Sequence, residues 1–216
     1  MGWRTQPRAA NGQWGKKSAG AAAVVTAGAL VIGGASGTGA GAGAAVEASG
    51  AADSVAARVK QGKEPARKGK SDEAWRKAKL RKVKQEAKNA VNCAVNSYGR
   101  VQEYFVQHPC KSLDRTLFTL ADPAGGTFVV SVSWLRLHDR DDVRPLEALV
   151  TKDGTGSVKS LGFDALRSQG VRFTGTPFDA RSDGKLLVVA EGAVVSGKPD
   201  PDLVKGAVEI AVELPG

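Results

Sequence analysis

The residues of this chain that could carry chemistry are few. Its 216 residues include two cysteines, Cys93 and Cys110, and two histidines, His108 and His138. His108 stands two positions before Cys110, across Pro109, in "QHPC". A thiol nucleophile needs a base within hydrogen-bond reach and a third group that orients the base. Neighbourhood across a proline does not supply that approach. His138 opens "HDRDD", beside Asp139, Asp141 and Asp142. Metal sites draw their ligands from several segments. Here one imidazole and three carboxylates share one loop, and a strand exit followed by a helix cap explains them. Ser131 and Ser133 fall on one face of one strand, with no G-x-S-x-G elbow around them. "DGTGS", from Asp153 to Ser157, has phosphate-loop glycines but lacks the G-x-x-x-x-G-K-[ST] pattern and the strand–loop–helix setting. Arg136, Arg140 and Arg144 sit among the aspartates as a mixed-sign surface. No residue is assigned to catalysis, to a cofactor or to a metal. The enzymatic alternative is a hydrolase using Cys110 with His108, or the His138–aspartate cluster.

The elements that would position these groups follow from periodicity. Leu80, Val83, Ala87, Ala90, Ala94, Tyr98, Val101 and Phe105 recur at steps of three and four, the signature of one helix face. Ser71 reads as an N-cap, with Asp72 and Glu73 in the first turn, and Pro109 stops the run. The expectation is one long helix over 72–107, basic in its first half. In such a helix Cys93 and Cys110 would lie roughly 25 Å apart at 1.5 Å per residue, whereas a disulfide needs Cα atoms within about 7 Å. The helix and a Cys93–Cys110 bond exclude each other. Two cysteines in an exported chain are usually paired, and a turn at Gly99 is the one place where the helix could break to allow it. The stripe crosses Gly99 in phase and favours the helix.

Beyond Cys110, Thr116 to Leu120 and Phe128 to Trp134 alternate around "DPAGG" and read as a β-hairpin. A short helix is expected near Val143 to Val150, started by Asp141 or Asp142. "GVRFTGTPF" reads as a strand, "RSDGK" as an Asp-Gly hairpin turn, and "LLVVAEGAVV" as the next strand. Asp200 or Asp202 caps a final helix ending about Val212. The order α-β-β-α-β-β-α gives an α+β fold: about four antiparallel strands, the long helix and two further helices, with the helices on one face.

Charge and hydropathy divide the chain into 1–18, 19–46, 47–71, 72–107 and 108–216. Through Lys88 there are 17 Lys/Arg and 6 Asp/Glu, and from Asn89 onward 14 and 16. The pI of about 9.7 therefore describes a basic leader and not a basic fold. Residues 1–18 carry four cations and no acid. Ala19 to Val46 holds 28 residues without a charge, long enough for a signal-anchor, with a denser 14-residue part resembling a signal h-region. Residues 47–71 read as a flexible basic tether with Pro65 and Gly69 as breakers. Arg67, Lys68, Lys70, Arg76, Lys77, Lys79, Arg81, Lys82 and Lys84 are candidates for contact with an anionic lipid surface or wall polymer. Nucleic-acid or scaffold binding through 58–88 is the cytosolic alternative. Against it, Trp75 is the one aromatic between Trp14 and Tyr98, so a base-stacking platform is missing.

With its Gly/Ala-rich span after a basic leader, and with "YFVQHPCKSLDRTLF" and "VRFTGTPFDARSDGKLLVVAEG" in its body, the chain resembles uncharacterised actinobacterial proteins that are membrane-anchored or exported. The resemblance covers roughly Val91 to Pro215. It implies location and fold class only and transfers no catalytic residue. The expectation is a single-pass or exported envelope protein whose α+β domain binds a protein or ligand outside the cytoplasm.

Overall fold

The computed structural model describes residues 54–216. The anchor expected at 19–46, the basic flank at 1–18 and the first part of the tether lie outside the described residues. Among those described, no helix is long and apolar enough to cross a membrane.

Among the described residues six helices and five strands form an α+β fold. In chain order they are α1 (Val55–Arg67), α2 (Ser71–Lys77), β1 (Arg81–Ala90), α3 (Gly99–Gln107), β2 (Cys110–Ala121), β3 (Thr127–Leu137), α4 (Val143–Val150), α5 (Phe163–Ser168), β4 (Phe178–Asp183), β5 (Leu186–Ser196) and α6 (Pro201–Ala211). The strands make one sheet in the order β1-β2-β3-β5-β4, antiparallel at every junction.

Side chains alternate between faces along a strand, so the register divides the sheet in two. One face, here the helical face, carries Phe118 and Leu120 from β2, Phe128, Val130, Val132 and Trp134 from β3, and Val188 and Ala190 from β5. The helices α1, α2 and α6 cover it. Trp75 of α2 meets Phe118 edge-on, ring centroids 5.3 Å apart. The Trp134 indole N–H donates to the Leu214 carbonyl at 2.8 Å. Helices α1 and α6 cross at small residues: a Cβ on Gly206 would stand 2.2 Å from Val59 Cγ2, so only glycine permits that approach. Asp122, in the β2–β3 turn, accepts from the Gly126 N–H at 2.7 Å and the Asp200 N–H at 3.2 Å. Asp200 in turn caps α6 through the Asp202 N–H.

The opposite face, here the capped face, lies under α3, α4 and the long segment between α4 and β4. Two apolar clusters form there. One gathers Val101, Phe105, Leu113, Leu135, Leu146 and Leu187 around Cys93 and Cys110. The other holds Leu117, Val129, Val171 and Ala193.

The β2–β3 hairpin, α4, β5 and α6 lie where periodicity places them. The long helix does not exist. The chain leaves α2 through Lys79 at φ 56, and 81–90 becomes an edge strand. The stripe from Leu80 to Phe105 is split among a strand, a turn and α3, which begins at Gly99 with φ 63. Helix propensities differ by fractions of a kcal/mol per residue and yield to tertiary context; here β1 supplies the ladder partner that β2 would otherwise lack along its length. The tether is corrected too, since 55–67 is helical and packs on α6. Of "GVRFTGTPF" only Phe178 is in a strand. The sheet has five strands instead of four, and helices on both faces instead of one.

Candidate functional site

Cys93 and Cys110 are joined, with Cα atoms 6.0 Å apart. The bond fastens the turn after β1 to the first residue of β2, so Cys110 offers no thiol. His108 is engaged elsewhere. Its Nδ1 lies 3.0 Å from Asp142 Oδ1, and its ring stacks on Tyr104 at 4.5 Å. The Tyr104 hydroxyl donates to the Asp142 carbonyl at 2.9 Å. Burial and the Asp142 charge push this phenol up to about 12. The trio clamps the end of α3 to the start of α4. His138, Asp139 and Asp141 are exposed and do not join it; the His138 carbonyl accepts from Lys185 Nζ. Among the described residues no three His, Cys, Asp or Glu side chains converge on a metal position.

The nine basic residues are spread over α1, α2, β1 and the turns between them, not along one projecting helix. Arg67 pairs with Glu213 at 2.8 Å, Lys68 with Glu64 at 2.7 Å, Lys70 with Glu73 at 3.8 Å, Lys82 with Asp72 and Lys84 with Glu86 at 2.6 Å. Arg76, Lys77, Lys79 and Arg81 are exposed. At least five of the nine charges are thus shared with described acids of the chain itself.

"DGTGS" serves the fold. The Arg100 N–H donates to the Thr155 carbonyl at 2.7 Å and the Tyr98 N–H to the Ser157 carbonyl at 3.0 Å, while Thr155 Oγ1 donates to the carbonyls of Leu149 and Lys152. A bridge between Ser97 and Val158 completes the cap. The segment holds the start of α3 over the sheet.

Beneath this cap lies a feature that motif reading misses. Apart from Thr116 and Asp122, every buried polar residue among those described is on the capped face or in its cap: Ser97, Arg115, Ser131, Ser133, Thr155, Ser157 and Ser160. On the sheet, Arg115 stands across from Ser133, and Ser131 stands between Leu117 and Glu191. Directly opposed residues have Cβ atoms about 4.5–5.5 Å apart, so these four make a polar band across β2, β3 and β5. The band separates the two apolar clusters.

At one end Glu191 accepts from the Gly175 N–H at 2.6 Å. Burial raises its carboxyl above the ordinary range, and the Gly175 bond partly offsets this. Half-exposed Tyr98 is raised by partial burial and by the Glu191 charge. At the other end Arg115 is only 6% exposed. Its Nη1 donates to the Lys159 carbonyl at 3.1 Å, its Nε has no partner, and burial lowers its pKa. No described acid lies within ion-pair distance of it. Isolated buried charge is among the costliest things a fold retains.

The signal for Arg115 is present in the sequence. Leu113, Arg115 and Leu117 alternate in phase, so a strand begun at Cys110 would have turned an arginine inward. Starting the strand at Thr116 conceals it. Elsewhere, an open groove of about 380 Å³ between α1 and α6 is lined by Val59, Lys60, Lys63, Lys205 and Glu209 among others. Its three lysines stand against two acids, Asp202 and Glu209, and none of these side chains is buried. Comparison of the chain with family models, with curated proteins and with solved structures returned no match.

Proposed function

We propose that this chain is a non-enzymatic binding module of the cell envelope, single-pass or exported, with its α+β domain outside the cytoplasm and its ligand held on the capped face. The Cys93–Cys110 bond carries the reading. Disulfides persist in oxidising compartments and are rare in reduced ones, and the two cysteines are all the chain has. The uncharged stretch from Ala19 to Val46 after a basic flank agrees with export. The same bond weighs against the hydrolase alternative, because it consumes the sulfur that His108 would have activated. Binding by 58–88 as one basic helix loses its support with that helix.

Thiol trapping tests the compartment. Cells are denatured in one maleimide, then reduced and treated with a second of different mass, while a parallel intact sample receives protease. Both cysteines are expected to take only the second label, and the domain to be cut in intact cells. Both cysteines taking the first label, with a domain cut only after lysis, would overturn the reading.

A further inference from the structure

We infer that Arg115 anchors a small oxyanion site on the capped face, taking a carboxylate or phosphate group of the ligand. The inference rests on the binding-module reading and specifies what that module holds.

A guanidinium offers five donors in a fixed fork, and here one Nη1 bond to the Lys159 carbonyl is the only one it makes among the described residues. A structural arginine this deeply buried would be expected to face a carboxylate. None of the described acids meets it, and Nε points at no acceptor. The residues directly opposed to it are cationic or neutral. Lys88 stands across from Arg115 on β1 and Ser133 across from it on β3. Neither the Ser131 nor the Ser133 hydroxyl donates to a described group, though both residues are buried. Unspent donors beside an uncompensated cation are the chemistry that recognises carboxylate and phosphate oxygens. The cap limits size: with Ser131 and Ser133 3% and 4% exposed, the inferred site would admit a single anionic group and not a polymer backbone. Glu191, beyond Ser131 on β5, would face the remainder of the ligand.

The test uses the full oxidised chain at ionic strength held constant with sodium chloride. Sodium phosphate is titrated in one arm and sodium succinate in the other, which separates the two sources of the oxyanion. The readouts are the Arg115 Nε–H nuclear resonance, assigned by its loss in Arg115→Met, and the thermal midpoint. A saturable resonance shift is expected in at least one arm, with a midpoint that climbs as the logarithm of concentration once the same dissociation constant is passed. Arg115→Met should lose the midpoint response while its own midpoint is no lower than that of the parent, since an apolar chain replaces a lone buried charge. Should that variant fail to fold, Lys88→Gln and Ser133→Ala should each weaken binding severalfold and leave the fold intact. A resonance shift that stays linear in both arms, or a midpoint response kept in Arg115→Met, would overturn the site. Failure here with thiols still oxidised in cells leaves the envelope reading standing. Reduced thiols would end that reading without moving the titration.

Discussion

On its helical face the sheet presents Phe118, Phe128, Val130 and Val188 to three helices. One residue along the same strands, the capped face presents Arg115, Ser131, Ser133 and Glu191. Both sets are largely shielded from water, so burial does not distinguish them. They differ in what the shielded atoms are satisfied by. The helical face is filled by interlocking apolar volume, with the Trp75 indole N–H its unpartnered neutral donor, whereas the band on the capped face holds an unpartnered cation beside hydroxyls with unspent capacity. A buried polar strip that an apolar filling could replace is destabilising relative to that filling, and such departures from local consistency are expected at functional sites.

The largest effect that can break this comparison is a matched pair of truncations. Phe128→Ala should cost about 3–5 kcal/mol in denaturant unfolding, the usual range for a large core side chain. Ser131→Ala, equally buried, should change stability by no more than about 1 kcal/mol. Equal losses would mean that the band is ordinary core.

The second effect is a pH dependence. Burial raises Glu191 above the ordinary carboxylate value of 4.5, so the folded state keeps this proton to higher pH than the unfolded chain does. Linkage then makes its contribution to stability decline as pH rises from 4.5 through the folded value. Glu191→Gln should remove that decline. Urea midpoints of both proteins between pH 4 and 7 measure it, and parallel curves would place Glu191 in water.

The smallest effect is spectroscopic. The chain has two tyrosines. Tyr98, beside the band, and Tyr104, in the clamp, both titrate above 10, Tyr104 near 12. Phenolate absorbance should rise late, and Tyr98→Phe should leave the later step in place. Above pH 10, native Tyr104 keeps a proton the unfolded chain releases, so its stabilising share fades toward pH 12.

What could be read from sequence depended on how local the cause was. The β2–β3 hairpin, α4 and α6 announce themselves through alternation, turn residues and caps that act within a few positions. Arg81–Ala90 does not, because its residues suit a helix and become a strand only through pairing with β2, some thirty residues onward. The same long-range cause decided the cysteines: once 81–90 is a strand, the chain must turn back at 93–98, and Cys93 meets Cys110. Arg115 was legible in principle, as an arginine in phase with two leucines, but only with the start of β2 placed correctly. Glu191 and Tyr98 gave no signal, since their meeting depends on the cap.

The crossing of α1 and α6 at Gly206 bears on the order of synthesis. Lys63 of α1 bonds Glu209 of α6 across 146 positions of sequence, so the layer over the helical face cannot close until α6 has left the ribosome. Until then Trp134 lacks the Leu214 carbonyl that its indole N–H bonds. A chain built this way completes that layer only once α6 has been made.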